Sequence, residues 1–289
     1  MPENVKRNQT LVTEFLLLGL GDLKNFRILL FIVFLIIFIM ALTSNTLVII
    51  LVAVNQSLHS PMYFFLSQLS LSEVLFTFQM ISQCLLLAFM SFDRYVAICR
   101  PLHYTIIMTL RHQLQMVIFS WLVGIALSVV HYVFLKELSF CDLNVINNFS
   151  CDIPELIQVS CSDTYLIDVI TSVTSFAVVL LPLLFIIATY IFILRAILKI
   201  PSTTGKQKTF STCSSHLMVV SMYYGTLCSV YLSPSSKDTV NNNKSLSLLY
   251  TLVTPLFNPL VYSFRNQEIR TVIVKYIRML NLKNSSLLP

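Results

Sequence analysis

Six long stretches of this chain contain no Asp, Glu, Lys or Arg, and they dictate what it can fold into. They cover residues 28–72, 74–92, 112–135, 169–194, 209–236 and 245–264. A helix crosses the hydrocarbon core of a bilayer with about 20 apolar residues, so each stretch holds at least one span. The first stretch breaks at residues 55–61, a polar segment ending in Pro61, which gives one span from about Phe26 to Val54 and a second opening after Pro61. A membrane β-barrel would instead show segments of about ten alternating residues. These runs do not alternate. Charged residues make up 11% of the chain and apolar ones 56%, with a mean hydropathy of +0.80. That is too little charge to cover a soluble surface. The fold class is an all-α transmembrane helical bundle.

Lys and Arg placement orients it. Twelve basic residues, Arg94, Arg100, Arg111, Arg195, Lys199, Lys206, Lys208, Arg265, Arg270, Lys275, Arg278 and Lys283, fall in one set of connections, accompanied only by Asp93 and Glu268. The other set holds seven basic residues diluted by ten acidic ones. The first set is therefore expected in the cytoplasm with the carboxyl terminus, and the amino terminus outside. This gives an outer tail at 1–25, a membrane domain at 26–264 and an inner tail at 265–289. The net charge of +6 is distributed between apolar runs and is no nucleic-acid signal. Residues 11–20 contain Glu14 and lack a small-residue cleavage site, so the first span is expected to act as signal anchor. Sequons at Asn8, Asn148 and Asn243 fall on the outer set, with Asn8 the expected glycan site.

Residues 90–104 read MSFDRYVAICRPLHY. A charged Asp93-Arg94-Tyr95 triplet at the membrane interface is costly and usually functional, although a bare triplet serves as readily as an interfacial ion pair. The longer string closely resembles the signature of vertebrate odorant receptors, rhodopsin-like G-protein-coupled receptors. Four further segments resemble that family in the same order: PMYFFLS at 61–67, Ser120-Trp121, KTFSTCSSHL at 208–217 and PLFNPLVYSFRN at 255–266. The resemblance implies a plasma-membrane receptor of seven-helix type. It implies a small volatile odorant as ligand, and a stimulatory G protein that raises cAMP as partner. It places Tyr224 and, second, Tyr223 in the odorant pocket. Asp93, Arg94, Tyr95, Asn258, Pro259 and Tyr262 fall in the switch that meets the G protein, and Glu73 matches an acidic position resembling a sodium site.

The residues themselves carry physical readings. Pro259 lacks a backbone donor and should kink its helix, and Asn258 is able to bond the groups so freed. Glu73 is the only charged residue between Arg27 and Asp93. At that depth it faces the bundle interior, finds a partner or is protonated; a neutral Glu in a packing hydrogen bond satisfies the same constraint. Cys213 and His216 lie three apart on a helix, but two ligands do not make a metal site, and no cofactor motif is present. Residues 266–280 place Ile269, Ile273, Tyr276, Ile277 and Leu280 on one helical face, which suits a short helix on the inner membrane surface.

Cys141, Cys151 and Cys161 lie in the large outer loop, an oxidising setting. The resemblance implies a Cys141–Cys161 disulfide, with Cys151 normally paired to a cysteine at the outer end of helix three. Cys84, about two and a half turns before Asp93, lies too deep for that role, leaving Cys151 unpaired. Helices two and three are short in total: only 31 residues separate Pro61 from Asp93, against about 34 to 50 for two spans. About six full spans are expected, with helices two and three fused or shortened. One outcome is a chain unable to signal. Another is a single fused helix, about 46 Å long at 1.5 Å per residue, which would put both termini on one side. The third is a broken hairpin, disfavoured by the cost of unpaired backbone in lipid. A transporter or channel would want several ionisable groups facing one another in mid-membrane, and only Glu73 qualifies.

Overall fold

A computed structural model of the chain describes residues 14–19, 26–75, 79–140, 145–146, 148, 153–231, 258–259, 261, 269–276 and 278. Helix α1 spans Arg27–Val54 and ends where the sequence breaks. Asn55 leaves the helical region, and its backbone N–H and side-chain amide both donate to the Leu51 carbonyl, at 3.1 and 2.8 Å. Pro61 then opens α2 (Pro61–Leu75), where its missing N–H costs no intrahelical bond. The remaining helices are α3 (Gln79–Cys99), α4 (Tyr104–Ile107), α5 (Leu110–Leu135), α6 (Ile153–Val159), α7 (Tyr165–Ser175), α8 (Leu181–Leu198) and α9 (Thr203–Tyr231). The Thr109 side chain caps α5 by accepting from the backbone N–H of His112. A π-turn at Phe176–Leu180 joins α7 to α8 into one 34-residue apolar rod. Pro182 lies just after it, and a proline that leaves a carbonyl without its donor favours such local widening.

Helix α3 is the hub. It packs on α2, α5, α8 and α9, burying Cys84, Leu86, Leu87 and Met90. Helix α1 packs on α2 and turns Ile28, Phe31, Ile36 and Phe38 outward. An apolar face of that extent is stable against lipid rather than water. Four of the described helical segments are long and apolar enough to cross a membrane: Ile28–Val54, Met80–Cys99, Leu110–Leu135 and Tyr165–Leu198.

Between Pro61 and Asp93 the helices are shortened, not fused. Glu73, near the end of α2, receives a 2.8 Å hydrogen bond from Gln83, near the start of α3. Helices α2 and α3 therefore run back alongside each other rather than end to end. The hairpin that lipid exposure would penalise is tolerated because its polar side chains meet one another and α3 is wrapped by other helices. At 1.5 Å per residue, α2 is only about 22 Å long, short of the roughly 30 Å core.

The tail is not featureless. Residues Leu16–Leu17 form strand β1, paired in parallel with β2 (Val145–Ile146) in the outer loop. Phe15 packs edge-on against Phe140, centroids 4.9 Å apart. Residues 269–276 are helical, with Ile269 and Val272 buried in the core cluster and Arg270 and Tyr276 exposed.

Candidate functional site

The Asp93-Arg94-Tyr95 triplet lies inside α3, with four more helical residues after it, rather than at the helix end. Asp93 is fully buried. Its Oδ2 accepts from Arg94 Nη2 at 2.6 Å and Nε at 3.0 Å, and its Oδ1 accepts from Tyr104 Oη at 2.8 Å. Each carboxylate oxygen is thus occupied, as a buried charge requires. Tyr104, on α4, was part of the motif but received no role from sequence. Its contact joins residues eleven apart through a turn that periodicity does not reveal. Burial, then the adjacent carboxylate, pushes the Tyr104 phenol upward, so it stays protonated and able to donate. Tyr95 stacks on Phe92 and meets Phe192 of α8 edge-on.

One layer outward, Glu73 gathers three helices. Its Oε1 accepts from Gln83 and from Asn258, both at 2.8 Å, and all three residues are buried. The Asn258 amide donates to Glu73, and the carbonyls that Pro259 would free lie outside the described residues. Pro259 is buried beside it, while Tyr262 and the rest of that segment lie outside the described residues. Gln83 was missed because nothing in a lone Gln within an apolar run marks a partner.

Between α8 and α9, Tyr190 Oη meets His216 Nδ1 at 2.8 Å with the rings stacked 5.7 Å apart. His216 is therefore a bridging side chain, and Cys213 is a free thiol. No group of three metal-ligating side chains occurs among the described residues.

The two candidate pocket tyrosines differ. Tyr223 donates to the Met80 carbonyl at 2.9 Å and lies 3.5 Å from Cys84 Sγ, so its hydroxyl ties α9 to the outer end of α3. Tyr224 packs edge-on against it, and its buried hydroxyl has no hydrogen-bond partner among the described residues. In the outer loop Cys161 is disulfide-bonded; Cys141, Cys151 and Asn8 lie outside the described residues. Cys84 is buried and free, in line with its depth. Asn148 is 7% exposed and donates its amide to Glu155 at 2.7 Å.

Apolar helices around a polar spine, with an Asp93–Arg94 pair inside the central helix, define a multi-pass helical membrane protein. The sequence family described as olfactory receptor matches residues 73–280. Human olfactory receptor 10A3 is 39% identical over 304 aligned positions, covering 94% of this chain and 97% of that protein. Human olfactory receptor 11L1 is 39% identical, covering 94% of each, and mouse olfactory receptor 1E16 is 39% identical, covering 92% and 94%. The chain belongs to the olfactory receptor family, seven-helix G-protein-coupled receptors that signal rather than catalyse. Since 94% of 289 residues is about 272, roughly 32 of the 304 positions have no residue in this chain, more than the length of one membrane span.

Proposed function

We propose that this odorant receptor keeps the half that addresses a stimulatory G protein, and so raises cAMP, but has lost part of the wall that would hold a small volatile ligand. The amino-terminal tail lies outside and the tail from residue 265 in the cytoplasm. The observation that carries this reading is the α2–α3 hairpin tied through Glu73. It removes outer helix while leaving the Asp93–Arg94–Tyr104 cluster assembled. Asp93, Arg94, Tyr95, Asn258, Pro259 and Tyr262 form the switch, and Tyr224, less so Tyr223, lines what remains of the pocket. Cys141 pairs with Cys161, and Cys151 stays unpaired. A sodium ion at Glu73 would draw on the carboxylate oxygens themselves, because the Gln83 and Asn258 amides turn their nitrogens toward it, and such an ion would add positive charge to the resting spine.

Basal coupling tests the inner half without any odorant. Membranes carrying the chain should accelerate nucleotide exchange on a stimulatory G protein above membranes lacking it, and Arg94→Ala should abolish the excess. Equal exchange in all three preparations contradicts the reading. Tyr104→Phe removes one bond to a buried carboxylate, about 1.5 to 3 kcal/mol for a charged partner. If that bond belongs to the resting state, basal exchange rises by about tenfold; unchanged exchange would place it equally in both states.

A further inference from the structure

The face of α8 turned away from the core carries a pattern that contact with lipid chains does not require. Ile186, Tyr190, Ile193 and Ile197 are buried against the bundle. On the opposite side Leu184, Ile187, Ile191 and Leu198 are exposed, and Arg195 and Lys199 are exposed in the same stripe. At 3.6 residues per turn these six fall within an arc of about 120°. Arg195 and Lys199 lie one turn apart, about 6 Å along the axis, and neither has an ion-pair partner among the described residues. Phe192 sets their level, because its ring meets Tyr95 of α3 edge-on at 6.0 Å. Arg195 follows about 4.5 Å further along α8, just past the Asp93–Arg94 pair. The stripe thus offers an apolar track that ends in two cations at headgroup depth. Helix α9 does not repeat it. Its half-buried Lys206 precedes buried Cys213, Val220 and Leu227 at seven-residue steps, which puts it on the core-facing side.

We propose that this stripe binds an anionic glycerophospholipid of the inner leaflet, of the phosphatidylserine type. An acyl chain lies along Leu184, Ile187 and Ile191, the phosphate meets Arg195, and the headgroup carboxylate meets Lys199. The guanidinium is a planar fork of donors that fits phosphate oxygens, whereas the lysine ammonium is a compact charge on a flexible stem. Depth sets the order. The phosphate joins the glycerol and sits nearer the hydrocarbon than the carboxylate, as Arg195 sits nearer than Lys199. A choline headgroup would bring the same phosphate to Arg195 but a quaternary ammonium to Lys199, so it meets like charge there. The free headgroup has the anionic groups but no chain for the apolar track. The inference rests on the cytoplasmic placement of this end of α8 proposed above, since anionic lipids occupy the cytoplasmic leaflet.

Native mass spectrometry of the full chain in detergent micelles tests the site, with phosphatidylserine and phosphatidylcholine of matched chains as probes. A cation facing an anionic headgroup favours it about fivefold, so phosphatidylserine adducts should exceed phosphatidylcholine adducts by about that factor. Lys199→Gln should bring the two lipids level, and Lys199→Arg should keep the preference. Arg195→Gln should weaken both lipids about fivefold, because both carry the phosphate. Lys206→Gln, off the stripe, should change neither. Equal binding of the two lipids by the unmodified chain overturns the inference, as does a preference that survives Lys199→Gln. Displacement of the lipid by an equal concentration of glycerophosphoserine, which has no acyl chains, would assign the site to a soluble headgroup and overturn the lipid. The placement is tested separately with Ser202→Cys in a background with the free cysteines replaced. A membrane-impermeant maleimide should label it only after cells are permeabilised. Labelling in intact cells overturns the cytoplasmic placement, and the inner-leaflet assignment with it, whatever the lipid preference.

Discussion

Expressed as written, the chain should give little or no odorant-dependent cAMP, and restoring about 30 residues from a related receptor within 76–78 should recover a response. The geometry sets the insertion point. Ser82 contacts the Ser120 carbonyl of α5, which fixes the level of α3 against α5, and only residues 79–81 of α3 lie beyond it. His131, which bridges α5 to Thr174 of α7 at 3.1 Å, is eleven residues beyond Ser120, or about 16 Å along the helix. Three residues of α3 reach about 4.5 Å in that direction. The outer faces of α5 and α7 therefore have no helix three beside them at the depth where a ligand would sit. A ligand shifts a receptor only through a difference in affinity between two states, and an absent wall contributes no difference. The Gln83–Glu73 bond rules out adding residues after Gln79, because it would displace the polar spine. A robust, saturable response from the unmodified chain, abolished by Arg94→Ala, would show that the shortening is tolerated.

Glu73→Leu should be the most damaging single substitution in the membrane core. It removes the acceptor shared by Gln83 and Asn258, leaving two buried amides short of a partner at about 1 to 3 kcal/mol each. The expected loss of about 2 to 5 kcal/mol should lower the unfolding midpoint in detergent by about 5 to 15 °C. Glu73→Gln keeps an acceptor oxygen and should recover at least half of that loss. Equal midpoints for Glu73→Leu and the unmodified chain would mean the network contributes nothing to holding α2, α3 and the Asn258 segment together.

The spans were legible because hydrophobic runs need only be counted. The α1 boundary follows from the polar segment ending in Pro61, whereas the hub role of α3 shows only in its packing on α2, α5, α8 and α9. The family was legible from motif order, and the shortening from the 31 residues between Pro61 and Asp93. What the residues between them would do was not, since a fused helix and a hairpin have the same composition. The choice is made by two polar side chains, Glu73 and Gln83, ten residues apart in sequence and in contact only if the chain turns. The same limit hid Tyr104, His216 and the β1–β2 pairing. Each depends on a partner elsewhere in the fold, whereas periodicity reports only on neighbours along the chain.

The distance between His59, just before α2, and Arg100, just after α3, tests the hairpin most directly. Both side chains are exposed and accept spin labels in a background with the free cysteines replaced. Two helices packed about 10 Å apart and running back alongside each other bring these positions to within about 25 Å. A fused helix would hold them about 60 Å apart at 1.5 Å per residue. Pulsed dipolar spectroscopy of the chain in nanodiscs should give a single distribution below about 25 Å; a distribution centred near 60 Å would contradict the account.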